Sequence, residues 1–336
     1  MTLSFDQIAS VTFGAAYIEK QDNGIHFHRF TREQEAAYLS YREDFYNKSM
    51  ATAGVRLEFL TDSRHLSLSV ASVQKSSSRP FFAFSLLCDG QRLGVLGSKT
   101  EQTRALSGAY TLGEGEKRIT LYFPWSSMGV LQALSLDDGA TLTPVKKSCR
   151  MLMLGDSITH GYDASEPQLS YSCRVADALD AEIRNKAIGG EIFFPRLADL
   201  PDEDFTPEII TVAYGTNDWS HTTREVFDRD SLAFYQNLSN HYPKAKIFAI
   251  TPIWRKHYAD VEGHDYPFFH VAEQLKAVAA SLPNLTAIDG FDFVPQDLTL
   301  FTDGLHPNDD GFVHYAANLL KALRAHLPEA HIEKFS

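Results

Sequence analysis

The pattern of apolar and polar positions divides the chain near residue 148. Ahead of that point apolar and polar residues alternate in short runs, the period-two spacing of a strand with one buried face. Val55-Arg56-Leu57-Glu58-Phe59 is one such run and Leu66-Ser67-Leu68-Ser69-Val70 is another. Asp89-Gly90 follows Phe82-Ala83-Phe84-Ser85-Leu86, and Asp138-Gly139 separates Leu134-Ser135-Leu136 from Thr141-Leu142-Thr143; both dipeptides are hairpin-turn signals. With almost no helical periodicity among them, residues 1–148 read as an all-β sandwich or jelly roll ending near Lys146-Lys147.

From Arg150 onward strands alternate with amphipathic helices. Met151 to Leu154, Ile209 to Ala213 and Lys246 to Ile250 are short apolar runs, and helices are expected over Tyr171 to Ile183, Ser231 to His241, Phe268 to Leu282 and Phe312 to Leu327. Gly311 ahead of the last helix, and Pro283 and Pro328 behind two of them, are the expected punctuation. This alternation predicts βαβ units around a parallel sheet over residues 149–336, with reactive groups at the carboxyl ends of the strands. A chain of 336 residues also exceeds what one hydrophobic core usually fills, so a two-domain organisation is expected.

Charge narrows the partners. Lys and Arg total 31 against 43 Asp and Glu, a net charge of -12 that repels phosphate backbones and anionic membrane surfaces. Neither a nucleic acid nor a membrane is an expected partner. The first twenty residues lack the basic start and apolar core of a secretory signal, and no apolar run approaches a membrane span. Cys88, Cys149 and Cys173 are few, odd in number and without metal-type spacing, which fits reduced thiols and a cytoplasmic location, although one disulfide pair stays possible.

The strongest chemical signal is Met151-Leu152-Met153-Leu154-Gly155-Asp156-Ser157-Ile158-Thr159-His160-Gly161. An apolar strand runs into a tight turn that presents a serine at the sheet rim, near a helix start. Thr159 stands where the α/β-hydrolase elbow has its second glycine, so that fold is disfavoured. A serine hydroxyl is a weak nucleophile at neutral pH and needs a histidine base held by a carboxylate. Thr302-Asp303-Gly304-Leu305-His306-Pro307-Asn308 supplies both on one loop, with Asp303 three residues before His306. For an oxyanion, the backbone N–H groups of Ser157 and Gly190 and the side-chain amide of Asn217 are the candidate donors. Asp156 is assigned to fixing the turn by hydrogen bonding.

Taken in order, the four blocks around Ser157, Gly190, Asn217 and Asp303/His306 resemble those of the SGNH (GDSL) hydrolase superfamily. The resemblance spans about half the chain, residues 150 to 330. It implies a flavodoxin-like three-layer α/β/α domain and acyl hydrolysis with no metal and no cofactor. The β-rich region ahead of it is similar in arrangement to carbohydrate esterase family 2, which removes acetyl groups from plant polysaccharides such as xylan and mannan. An acetylated oligosaccharide is then the expected substrate. Trp219, Trp254, Arg255 and Tyr162 are candidates to contact it, stacking on a sugar ring or hydrogen-bonding to it, against rim packing as the plainer role. Alternatives stay open: a lipid or thioester acylhydrolase, transfer of the acyl group to another alcohol, or a carbohydrate-binding protein without turnover. The function of residues 1–148, and whether the chain forms an oligomer, are not specified. Phe193 and Phe194 are expected in the core, His26 and His28 as a surface pair, and His257, His264 and His270 on a solvated loop.

Overall fold

A computed structural model describes residues 1–327; Pro328, expected to punctuate the last helix, lies outside the described residues. Two antiparallel sheets form the N-terminal region. One orders Thr12–Phe13, Arg56–Thr61, Lys117–Tyr122, Phe82–Cys88 and Gln91–Ser98, with Thr143–Pro144 also paired to Arg56–Thr61. The other orders Tyr17–Gln21, Gly24–His28, Ser127–Leu136, His65–Lys75 and Arg104–Thr111. Alternate side chains of the two sheets, among them Leu57, Phe59, Leu68, Val70, Phe84, Leu121 and Leu134, meet in one apolar core. Asp89 and Gly90 close the hairpin between Phe82–Cys88 and Gln91–Ser98 as expected. Asp138-Gly139 does not make a hairpin: it carries the chain from the strand Ser127–Leu136 across to the other sheet, where Thr143 pairs with Leu60.

Beyond Ser148 five parallel strands run in the order Ala181–Asn185, Cys149–Gly155, Ile209–Ala213, Lys246–Ile250 and Leu285–Ile288, the 2-1-3-4-5 order of flavodoxin-like sheets. The central strands are apolar on both faces because both are covered. Leu152, Leu154, Ile210, Val212 and Ile247 pack beneath Phe227, Phe234 and Leu238 of the helix Arg224–His241 and Val271 and Leu275 of the helix Phe269–Ser281. Met151, Met153, Ile209, Phe248 and Ile250 pack against Tyr171 and Val175 of the helix Tyr171–Ala178 and Phe312, Leu319 and Leu323 of the helix Asp309–His326.

Several expected boundaries shift. The helix expected to reach Ile183 stops at Ala178, and after a turn at Asp180 (φ 44°) the residues Ala181–Asn185 form an edge strand. Asn308 caps the last helix by accepting from the Asp310 and Gly311 amides, which places Gly311 inside the first turn. The N-terminal region also holds helices where only strands were expected, at Phe5–Ser10, Arg32–Tyr41 and Glu43–Ser49. Tyr38 and Phe45 from the latter two are buried in the same cluster as Ile210 and Val212. His26 and His28 are buried, contrary to a surface pair, because Tyr17 stacks on His28 and Glu35 takes its Nδ1.

Candidate active site

The site stands at the carboxyl edge of the parallel sheet, beside the strand pair Cys149–Gly155 and Ile209–Ala213 where the strand order reverses. Cys149–Gly155 ends in Asp156, whose carboxylate accepts the Ile158 amide and caps the short helix Ser157–His160. Ser157 is thereby the first residue of that helix, and its N–H belongs to the first turn, which has no intrahelical acceptor. Burial pushes the Asp156 carboxyl up to about 6 despite that hydrogen bond.

His306 arrives on the loop 302–306, closed by Thr302 N donating to His306 O at 2.9 Å and by the bridge Phe301 to Pro307. The ring Nε2 lies 2.8 Å from Ser157 Oγ and Nδ1 lies 2.8 Å from Asp303 Oδ2. With Nδ1–H donating to the carboxylate, Nε2 is left to accept the serine proton. Asp303 Oδ1 also accepts the amides of Leu305 and His306 at 3.0 and 2.9 Å. Partial burial would raise this carboxyl, but the His306 ring and the loop amides outweigh it and hold it well below the usual carboxylate range. Ser157 and His306 are 5% and 9% exposed.

The oxyanion candidates sit on the next two strand ends. Gly190 has φ +82°, a left-handed conformation that favours glycine. A side chain on its neighbour Gly189 would collide with the Tyr162 hydroxyl. The Asn217 amide, on the helix Thr216–His221, donates one N–H to the Glu191 carbonyl at 3.0 Å, so it adjoins the residue after Gly190. An amide has a second N–H for another acceptor. Tyr162 closes the circuit, its ring stacked on His306 at 5.7 Å between centroids.

The other proposed contacts divide. Trp219 is 2% exposed, stacks on His264 and donates its Nε1–H to Tyr266 O, so it is packed inside the rim and not offered to solvent. Arg255 spends Nη1 on Thr216 and Ser220 and covers the Trp219 ring at 5.2 Å, which braces the helix carrying Asn217. Trp254 is half-buried, edge-on to Phe301. His264 and His270 are held, His270 by Asp228 at 2.7 Å, while His257 is exposed beside Asp260. Phe193 is buried and Phe194 partly so.

Residues from the N-terminal region complete the surroundings, and sequence reasoning missed them. Arg79 pairs with Asp163 and reaches Asp303 Oδ2 at 3.3 Å. Asp163, Asp303 and His306 together place three ligand-type atoms within 4.8 Å, and this guanidinium supplies the cation beside them. Lys48 donates to Gly189 O at 2.9 Å. Glu191 is buried with its carboxyl between the hydroxyls of Tyr38 and Tyr214, and burial raises it well above the ordinary carboxylate range. Arg79 lines a polar groove of about 510 Å³ with Ser77, Ser78, Thr100, Gln102 and Thr103. Among the described residues no two cysteines are joined in a disulfide, and no helix is long and apolar enough to cross a membrane.

Residues 153–313 match the GDSL-like lipase/acylhydrolase family. No curated protein matches the chain by sequence. Among solved structures, the salicylyl-acyltransferase SsfX3 of a tetracycline biosynthetic pathway superposes with a TM-score of 0.81 at 21% identity, covering 94% of each chain. A GDSL-like lipase from Bacteroides ovatus gives 0.75 at 19% identity over 97% of each chain. A family two carbohydrate esterase from Clostridium thermocellum, solved with cellohexaose, gives 0.67 at 16% identity over 94% of this chain and 98% of that one. The resemblance carried by the four sequence blocks therefore holds: residues 153–313 are similar to the GDSL (SGNH) lipases and acylhydrolases, and over 94% of the chain the fold is similar to that of a family 2 carbohydrate esterase.

Proposed function

We propose that the chain is a serine esterase that removes O-acetyl groups from oligosaccharides of the mannan or xylan type. The observation that carries this is the continuous relay from Ser157 Oγ through His306 to Asp303, at 2.8 Å for each step. His306 takes the Ser157 proton as the hydroxyl attacks the acetyl carbonyl, and Asp303 steadies the imidazolium. Ser157 N–H, Gly190 N–H and the free Asn217 N–H receive the oxyanion. The imidazolium then gives its proton to the departing sugar oxygen, which leaves as a hydroxyl, and water repeats the sequence to release acetate. The groove beside Arg79, lined by the hydroxyls of Ser77, Ser78, Thr100 and Thr103, the Gln102 amide and the charged Lys75 and Glu101, is polar, which supports a carbohydrate over a lipid. A cytoplasmic setting is supported by few cysteines and no disulfide among the described residues; fractionation that recovered the protein elsewhere would remove it.

Ser157→Ala is expected to abolish hydrolysis of p-nitrophenyl acetate with an unchanged melting temperature; retained turnover refutes the nucleophile. Activity rising beyond butyryl esters would count against the acetyl-sugar substrate in favour of a lipid or thioester. A second reading, transfer of the acyl group to a hydroxyl other than water, is favoured by the likeness to a salicylyl-acyltransferase over 94% of both chains. Product analysis separates the two: in the presence of an acceptor alcohol, a hydrolase yields acetate, and a transferase yields mainly the new ester.

A further inference from the structure

The His306 ring faces two carboxylates, where its proposed role uses one. Asp303 Oδ2 is 2.8 Å from Nδ1 and Asp163 Oδ2 is 4.0 Å from the same atom. Asp163 stands in left-handed backbone, φ 70°, a conformation that aspartate and asparagine tolerate and most residues avoid, with a side chain only 6% exposed. Both of its oxygens are taken by Arg79: Nε donates to Oδ1 and Nη2 to Oδ2, each at 2.6 Å, a bidentate pair. The same Nη2 reaches Asp303 Oδ2 at 3.3 Å and lies 3.4 Å from His306 Nδ1. The guanidinium also stands 5.4 Å from the centre of the Tyr162 ring, which stacks on His306. One arginine from the antiparallel region thus touches every group that borders the Nδ1 side of the imidazole.

The geometry points to Arg79 and Asp163 as a paired positioning element that keeps His306 answering to Asp303 alone; this rests on the proposed Ser157–His306–Asp303 relay. Two unpaired carboxylates within 4 Å would stabilise the imidazolium over the neutral ring, and an imidazolium cannot accept the serine proton. Arg79 removes that excess by neutralising Asp163, and its contact with Asp303 fixes the carboxylate that remains. The other titratable or charged groups around His306 are the Ser157 hydroxyl, the Tyr162 phenol, the buried Asp156 and, at longer range, Arg255. They all come from the α/β region, so among the described residues Arg79 makes the balance depend on the antiparallel one.

The test is the titration of the His306 imidazole by NMR in the full chain, assigned with His306→Gln, alongside the acid limb of kcat/KM for p-nitrophenyl acetate. Arg79→Met is expected to raise the His306 midpoint by about one pH unit or more, and the acid limb moves with it. Asp163→Asn keeps the left-handed backbone and leaves Arg79 to Asp303, so the midpoint falls below wild type. Arg79→Met/Asp163→Asn returns the midpoint toward wild type. A midpoint unmoved by Arg79→Met, or a rise that Asp163→Asn fails to reverse, overturns the inference. If Arg79→Met does not fold, Asp163→Asn alone decides, and no fall in its midpoint overturns it equally. The titration is read without turnover, so a wild-type chain lacking esterase activity would sink the proposed function separately.

Discussion

At the scale of single residues, Asp303 does two jobs with its two oxygens. Oδ2 takes the His306 Nδ1–H, and Oδ1 ties down the loop through two amides. Asp303→Asn would keep much of the loop bonding but offer an N–H or a neutral oxygen to the ring, which favours the wrong tautomer. The expected loss in kcat for p-nitrophenyl acetate at pH 7 is about 10³- to 10⁴-fold, with KM changed little; a loss below tenfold would mean that the imidazole needs no carboxylate. Because the Asp303 carboxyl is held well below the usual range, it is ionised at the pH of this assay. This pair was legible in the sequence because its geometry is local, three residues apart on one loop. Arg79 was not legible, since it meets Asp303 across 224 positions, and an arginine in a polar run carries no mark of its destination. Trp219 shows the opposite failure: an aromatic at a strand end resembles a sugar platform, yet its ring is consumed by His264, Phe268 and Arg255.

Among the elements, the short helix Thr216–His221 is held to the loop before Pro195 by Asp218, whose Oδ1 accepts the Phe193 amide at 3.0 Å. Its Oδ2 is buried without a hydrogen-bond partner. Burial pushes this carboxyl up to about 7 from an ordinary 3.8. The folded state therefore binds a proton that the unfolded chain has released above pH 3.8, and stability falls as pH rises toward 7. Asp218→Asn keeps the acceptor for Phe193 and removes the titration. Its stability relative to wild type should improve between pH 5 and 8, by on the order of a few kcal/mol in urea unfolding; a difference flat with pH would show that Asp218 is already ionised.

The elements themselves differ in how openly the sequence states them. Ile209–Ala213 and Lys246–Ile250 are covered on both faces, so continuous apolar runs give their bounds directly. Ala181–Asn185 is an edge strand of alternating character close behind a helix, and the turn that separates them rests on one residue, Asp180. The helix Arg32–Tyr41 buries only part of one face, so its periodicity is faint against the surrounding strands. Its start was nonetheless written in Thr31-Arg32-Glu33-Gln34, a capping box in which the Thr31 and Gln34 side chains each accept the other's amide.

For the whole molecule, the contact between the antiparallel and parallel regions decides how it unfolds. A chain of 336 residues would ordinarily come apart one region at a time. Here Phe30, Tyr38 and Phe45 share a core with the parallel sheet on one face, and Ala53 and Trp125 share the core of the other. Two arginines are buried across the join. Arg29 donates to the carbonyls of Asn185 and Ala187 at 2.6 and 3.0 Å and to Ala51, and Arg56 donates to Asp177 at 2.7 Å and to Ala181 O at 2.9 Å. The Arg29 bonds hold both the N-terminal residues 48–51 and the segment leading to Gly190, so the proposed oxyanion loop takes its shape from the antiparallel region. Arg29→Met would leave those carbonyls buried without donors, a cost of about 3–5 kcal/mol. Hydrogen exchange in rising urea should then show the strands Ser127–Leu136 and Ile209–Ala213 opening with one common free energy in wild type, lowered equally in the variant. Two separate opening energies, with only one of them sensitive to Arg29, would mean that the regions are independent and that the loop before Gly190 holds its shape unaided.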